Sequence, residues 1–357
     1  MDRRSNDSCE GTAGRTRGRR EDAVSDSPRV TVLTPGLAAV LVLLGVGLAV
    51  TVGDPGNQGG PADGSPLRWR SGLVVSVAFS PDGRSLSACG VEGSFALWDV
   101  GARRVRMTSA GRADAGVRAA LTHDGATVAV ANRDETVTLW DVATGRRRAG
   151  LPAHAEAVRA LAFTRDGATL ASADGAGVRF WDTATGRPRP GSGFAVVGVR
   201  CLAVAPDGRT LAAGDKDGWV RLFDPPTGHQ RASFRAHEGP ILSLTFSDDG
   251  RLLASTSTPD GAARLWEVRL GRRLLDLDCR PGPVQAAAFA PGARTVATAE
   301  RDGAVRLWDV LTGRLLRTLS CLDAPVTAIA FSPDGRTLAG GTSEAIWLWD
   351  VERLSRR

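Results

Sequence analysis

From residue 67 to the C-terminus, short apolar runs alternate with turn formers on a constant beat. VVSVAF at 74–79, VRALAF at 158–163, ILSLTF at 241–246 and VTAIAF at 326–331 have the length and patterning of strands. A turn follows each such run: SPDG at 80–83, THDG at 122–125, TRDG at 164–167, APDG at 205–208, SDDG at 247–250 and SPDG at 332–335, with APGA at 290–293 as the divergent copy. In these turns Asp bonds its own backbone and Gly takes the positive φ that closes a tight hairpin. A second apolar run comes next, such as TLASA at 169–173 or TVATA at 295–299, then a polar loop and a third run. The third run ends in an aromatic–acid dipeptide: Trp98-Asp99, Trp140-Asp141, Trp181-Asp182, Phe223-Asp224, Trp266-Glu267, Trp308-Asp309 and Trp349-Asp350. Their spacings are 42, 41, 42, 43, 42 and 41 residues. A turn such as ATGR at 143–146 and a weaker, Arg-rich strand complete each unit.

Four strands in each of seven units of about 42 residues predict an all-β, seven-bladed β-propeller. Residues 67–357, about four-fifths of the chain, resemble the WD-repeat (WD40) family on these dipeptides and Asp-Gly turns. The chain stops too soon after Trp349-Asp350 to supply an outer strand for the last unit, and Leu67-Arg68-Trp69-Arg70 stands where an outer strand would. The resemblance implies that this N-terminal strand closes the ring. It also implies that the dipeptide aromatics Trp98, Trp140, Trp181, Phe223, Trp266, Trp308 and Trp349 pack between blades. Some of these indoles would join a hydrogen-bonded tetrad with a His, a Ser or Thr and an Asp. On residue positions the full tetrad is expected in the fifth unit alone, as His237, Ser257, Asp260 and Trp266; the third keeps His154 but has Asp174 where the Ser is expected.

Upstream the pattern changes. No charged residue lies between Arg29 and Asp54, and 37–52 reads LAAVLVLLGVGLAVTV, apolar on every face. With Thr34 as cap and Pro35 at the first helical position, a helix to Val52 is about 27 Å long, enough to cross a hydrocarbon core of about 30 Å. This predicts a transmembrane helix at 34–53 as a signal anchor, after a polar, basic, aperiodic tail at 1–33 and before a Gly/Pro-rich linker at 54–66. Arg15, Arg17, Arg19, Arg20 and Arg29 precede the segment, and only Arg68 and Arg70 follow at a distance. By the positive-inside rule the N-terminus is cytoplasmic and the propeller extracytoplasmic. Thr51-Val52-Gly53 is also a passable cleavage site, so secretion after signal cleavage is the alternative.

The net charge of +6 belongs to the propeller segment, and every basic residue but Lys216 is Arg, a bias expected of a GC-rich, bacterial coding background. The arginines are spread, in third strands (Arg179, Arg221, Arg264, Arg306) and in outer strands and their turns, which argues against nucleic acid and fits protection of exposed strand edges. Cys9, Cys89, Cys201, Cys279 and Cys321 form no CxxC pair. Cys279 and Cys321 match in repeat position, and equivalent points of adjacent blades are usually too far apart to bridge. His123, His154, His229 and His237 fall in different units and at different phases of the repeat, so no metal and no cofactor is expected. GDKDG at 214–218 lacks the later Glu of a calcium loop. The set His237, Ser257, Asp260 is read as structural rather than as a hydrolase triad, because a nucleophile must face a pocket.

In the resembled family partners meet the loops that precede inner strands and join second to third strands. Here those loops carry Arg112, Asp114, Arg133, Glu156, Lys216, Glu238, Arg301, Leu322 and Asp323, mixed in sign and poor in aromatics. The reading is a non-enzymatic, membrane-tethered, monomeric scaffold for protein partners. The alternatives are an exported propeller enzyme or binder of carbohydrate or anionic polymer, which needs a polar cluster at the channel mouth, and a cytoplasmic WD-repeat regulator.

Overall fold

The computed structural model describes residues 66–69, 71–109, 115–225, 227–279, 282–321 and 324–351. They form seven antiparallel sheets of four strands. We number these blades 1 to 6 as 74–109, 115–151, 160–195, 199–235, 241–278 and 284–321; blade 7 is 328–350 together with 67–68. Among the described residues no helix is long and apolar enough to cross a membrane. The expected membrane segment at 34–53 and the tail at 1–33 lie outside them.

Within a blade, position decides composition. The second strand of blade 5, Leu252–Ser257, is packed on both faces and buried from its second residue to its last. Such a strand needs small or apolar residues throughout, and LLASTS supplies them. The outer strand Arg272–Asp278 has one face in solvent and carries charge there. The turns are held as their residue types require. At 80–83, Ser80 Oγ donates to Asp82 Oδ1 at 2.6 Å, the Arg84 amide donates to the same carboxylate at 3.0 Å, and Gly83 takes φ +69°. The divergent APGA turn keeps the conformation with Ala293 at φ +53°, a region costly for a side chain. The Asp after the indole has a local task too. Asp141 accepts from the Thr144 amide and hydroxyl, both at 2.8 Å, and Asp182 and Asp309 repeat the arrangement.

The core is a ring of seven separate apolar seams, each shared by two neighbouring blades. At one of them Leu253 and Trp266 of blade 5 meet Ala212, Val220 and Leu222 of blade 4. Trp98, Trp181, Phe223, Trp266, Trp308 and Trp349 are buried as expected of blade packing. Trp140 is half-buried, its ring tilted against Phe95 of blade 1 at 6.3 Å.

The ring is closed by Leu67–Arg68, which pairs with the third strand of blade 7 in the register Leu67↔Ile346 and Arg68↔Ala345. The strand is shorter than the expected 67–70: Trp69 continues it by one bond, its amide to the Glu344 carbonyl at 3.1 Å, and Arg70 lies outside the described residues. Trp69 then turns into the seam between blades 7 and 1, 4% exposed and 6.0 Å from the Trp98 ring. Gly90 makes the space, since a Cβ there would lie 2.6 Å from the Trp69 ring. Trp69→Ala should therefore lower the stability of the whole ring by about 3–5 kcal/mol. Urea unfolding checks this, and an unchanged midpoint would contradict closure by this segment.

Candidate functional site: buried tetrads, the loop face and the channel mouth

Among the described residues, the buried polar groups include the His–Ser–Asp sets that resemble catalytic machinery. In blade 5, His237 Nε2 meets Ser255 Oγ at 2.8 Å, Trp266 Nε1 donates to the same oxygen at 2.9 Å, and His237 Nδ1 meets Asp260 Oδ2 at 2.8 Å. The serine of the tetrad is thus Ser255; Ser257, expected in that role, is buried with its hydroxyl unpartnered. Blade 3 makes a second complete tetrad, which corrects the expectation of only one. His154 Nε2 meets Ser172 Oγ at 2.7 Å, Trp181 Nε1 donates to Ser172 at 2.6 Å, and His154 Nδ1 meets Asp174 Oδ2 at 3.1 Å. Asp174 is therefore the acid of the set and does not stand in for its serine.

Both corrections have one cause. The hydroxyl lies five residues after the turn residue at positive φ: Ser172 after Gly167, Ser255 after Gly250, Thr298 after Ala293. The expected residues, Ser257 and Asp174, both lie seven residues after that turn glycine, two places beyond this position. The same position explains the other blades. Blade 4 has Ala213 there and Phe223 in place of Trp, so no indole N–H needs an acceptor. Blade 1 has Ala88 and keeps Trp98, and the Trp98 Nε1 is left without a partner. In blade 6, Cys279 takes the histidine position, with its Sγ 3.8 Å from Thr298 Oγ1, which accepts from Trp308 Nε1 at 2.9 Å.

Electrostatics fit a structural role. Burial holds the His154 imidazole below its ordinary range in spite of the Asp174 carboxylate. Burial alone would raise Asp174, but the Ala176 and Gly177 amides and His154 outweigh it and hold its carboxyl below the usual range. Cys89, Cys201 and Cys279 are free thiols, each pushed up to about 12 by burial, and so are poor nucleophiles. Among the described residues no group of three or more His, Cys, Asp or Glu is arranged to hold a metal.

The third-strand arginines do not guard edges, because each third strand is flanked on both sides within its blade. They hold acids at or just beyond the ends of the second strands instead. Arg221 lies 2.6 Å from Asp215, Arg264 3.0 Å from Asp260, Arg179 4.0 Å from Asp174, and Arg306 pairs with Glu300. Arg179 and Arg264 also donate to the carbonyls of Ala153 and Ala236, the residues just before the tetrad histidines. Glu300 is fully buried with one carboxyl oxygen unpartnered, and burial prevails over Arg306 to raise its pKa from 4.5 to about 7.

These interactions leave the loop face for recognition. Arg133, Lys216 and Arg301 on the loops joining second to third strands, and Glu156 and Glu238 on the loops before inner strands, are all exposed at one end of the ring. Arg112, Asp114, Leu322 and Asp323 lie outside the described residues. Two groups on this face were missed in the sequence. Val197, in the loop before blade 4, and Trp219, at the start of its third strand, are exposed by 73% and 37%, which puts an aromatic on a face expected to be poor in them.

The central channel opens at the same end into a cavity of about 470 Å³ lined in part by Arg118, Arg159, Arg200, Ser243 and Gln285. It is not the all-Ala, Val and Thr lining that would remove any ligand role. None of the three arginines stands out in the sequence, because each is isolated along the chain and they come together only through the packing of neighbouring blades. The opposite end holds a second cavity of about 500 Å³, where Arg165 lies 3.5 Å from Asp248.

Six stretches of the chain, 67–99, 145–182, 194–224, 228–267, 271–309 and 313–350, match the family model described as "WD domain, G-beta repeat". The stretch 100–144 is not matched, although the structure places most of blade 2 there. Over 65 residues the chain is 38% identical to a guanine nucleotide-binding protein subunit beta of Arabidopsis thaliana, 17% of each protein. Over 80 residues it is 40% identical to a serine-threonine kinase receptor-associated protein of Gallus gallus, 22% of each. Over 84 residues it is 32% identical to apoptotic protease-activating factor 1 of Homo sapiens, 24% of this chain and 7% of that one. The chain thus spans less than a quarter of the length of these relatives.

Two outcomes are expected. Ser255→Ala strips an acceptor from the buried Trp266 and a partner from His237 and should cost about 1–3 kcal/mol, whereas Ser257→Ala removes a hydroxyl that bonds nothing and should stay within about 1 kcal/mol of the wild type. Denaturant melts of the two variants decide it; equal losses would contradict the assignment. For Glu300 the raised native pKa means that the folded chain holds a proton the unfolded chain has lost between pH 4.5 and about 7. Its contribution is therefore fully present below 4.5 and lost as pH rises through about 7. The stability of the wild type relative to Glu300→Gln should fall across that window, and a flat difference would contradict the burial argument.

Proposed function

The chain belongs to the WD-repeat family, and from that premise we propose that it is a non-enzymatic scaffold that presents the loop face of its propeller to protein partners. The observation that carries this reading is how the nucleophile-like groups are used. Both His–Ser–Asp sets are enclosed in blade interiors, with each serine oxygen engaged by an indole N–H. The exposed loops carry the variable chemistry instead, with Arg133, Glu156, Lys216, Glu238 and Arg301 interspersed in sign and Trp219 and Val197 beside them. Mixed charge around an aromatic suits recognition of a protein surface.

The finer part of the proposal is the tether. The uniformly apolar stretch in 34–53 is read as a membrane anchor, with the basic tail on the cytoplasmic side and the propeller held outside by the linker at 54–66. A tag at the C-terminus should then be lost to protease added to intact cells, and protection until lysis would overturn the export.

For the scaffold itself, the full-length chain is crosslinked in membranes and purified. A specific partner should fall in recovery at least about tenfold when Glu156 and Glu238 are both changed to Lys, a loss of about 1.4 kcal/mol or more. Arg294→Glu, in the turn at the opposite end of blade 6, should leave recovery unchanged. If the loop-face reversals change nothing, the face is not the interface.

A further inference from the structure

The channel mouth carries a feature that scaffolding does not require. The ring repeats the same wall seven times, so equivalent positions can be compared blade by blade. Four residues before each Asp-Gly-type turn, the inner strand carries a small residue in six blades: Ser76, Ala160, Cys201, Ser243, Ala286 and Ala328. Blade 2 has Arg118 in that place, paired with Ala131 as Cys201 is with Gly214. One residue earlier, blades 3 and 4 carry Arg159 and Arg200. The pairing register shifts across Val199/Cys201, as it does at the matching points of blades 1, 5 and 6. An irregularity of this kind re-aims the side chain at its centre, and Arg200 is among the residues lining the cavity.

Three guanidinium groups from consecutive blades thus meet at one cavity. The contrast with the rest of the propeller is informative. Each third-strand arginine has an acid across from it: Arg221 has Asp215, Arg264 has Asp260 and Arg306 has Glu300. At the mouth the described lining contains no carboxylate, and Arg159 and Arg200 make no ion pair among the described residues. Arg118 donates from Nε to the Arg159 carbonyl at 2.9 Å, which fixes the guanidinium of one blade against the backbone of the next. The channel walls limit its hydration, and with repulsion from Arg200 and Arg159 they hold its pKa below the ordinary arginine range. Gathered like charge of this kind costs stability unless an anion offsets it.

We propose that the channel mouth is a binding site for a phosphate-class oxyanion, gripped by Arg118, Arg159 and Arg200 with Ser243 and Gln285 as neutral donors on the facing wall. Planar guanidinium forks match tetrahedral oxyanions two bonds at a time, and several forks favour a multiply charged anion over a single carboxylate. The cavity of about 470 Å³ falls within the size range of small-ligand sites. The oxyanion is either free, as a small polyphosphate, or carried as a phosphoryl group on a protein side chain. This inference goes beyond the scaffold reading and does not depend on it.

The test is calorimetric titration of the full-length chain with pyrophosphate, against sodium chloride at matched ionic strength. The wild type should bind pyrophosphate, and the double variant Arg159→Gln with Arg200→Gln should bind at least about tenfold more weakly, the loss expected when two charge-assisted contacts go. Removing like charges should leave the melting temperature of that variant no lower, so lost binding is not lost fold; Arg159→Lys with Arg200→Lys, which keeps charge without the fork, should fall between. A serine-phosphorylated peptide and its unphosphorylated twin separate the sources. Tighter binding of the phosphopeptide than of pyrophosphate assigns a protein-borne phosphoryl group, the reverse assigns a free ion, and either supports the site. Absence of pyrophosphate binding beyond the chloride control, or equal binding by the Gln double variant, would overturn it, and neither result bears on the crosslinking outcome for the loop face.

Discussion

In a ring of seven sheets each blade is buried by its neighbours, so no blade is complete until the first meets the last. That meeting rests on the two-residue pairing of Leu67 and Arg68 with Ile346 and Ala345, reinforced by the Trp69 indole in the seam. The pairing joins residues almost three hundred positions apart, and its loop-closure entropy is offset only when the six other seams already exist. Trp69 therefore does more than complete a sheet. It brings the N-terminal end of the propeller against Trp98 and turns a stack of blades with two exposed faces into a structure with none.

Closure also decides what the polar groups do. Each indole at a seam brings an N–H into a dry environment, and the chain handles it in different ways around the ring. Ser172, Ser255 and Thr298 accept from it, Phe223 removes the donor, and Trp140 stays half in solvent. Blade 1 does none of these, and its orphaned Trp98 N–H is a local cost tolerated at the very seam where closure happens. The histidines follow from the same logic. His154 and His237 stabilise a serine oxygen and a loop acid, and the arginine of the third strand then holds that acid from outside.

Much of this was legible in the sequence because the repeat is phased by local chemistry. The Asp-Gly turns and the aromatic–acid dipeptides phase the strands, and Leu67-Arg68, just before the first inner strand, stands in the position of an outer strand. What was not legible is what depends on three-dimensional register. Ser257 and Asp174 stand two residues past Ser255 and Ser172, and positions two apart along a strand share a face, so alternation alone does not choose between them. The distance from turn to hydroxyl is fixed by pairing. Arg118, Arg159 and Arg200 recur at the repeat's own spacing of 41 residues, so the repeat brings them together although none belongs to a motif. The arginines of the third strands looked like edge protection from composition alone; only the sheet order shows them to be interior and matched to acids.

A scaffold needs a rigid frame and variable loops, and the ring provides the frame only if it closes within one chain. The most direct measurement of that closure is the pairing itself. Directly opposed residues of antiparallel strands have Cα atoms about 4.5–5.5 Å apart, within the range a disulfide spans. In a chain carrying Arg68→Cys with Ala345→Cys, mild oxidation followed by mass spectrometry of the peptides should show a link between positions 68 and 345 of the same chain, and the thermal midpoint should rise. No link, or one that joins two different chains, would contradict a propeller closed by its own N-terminal strand.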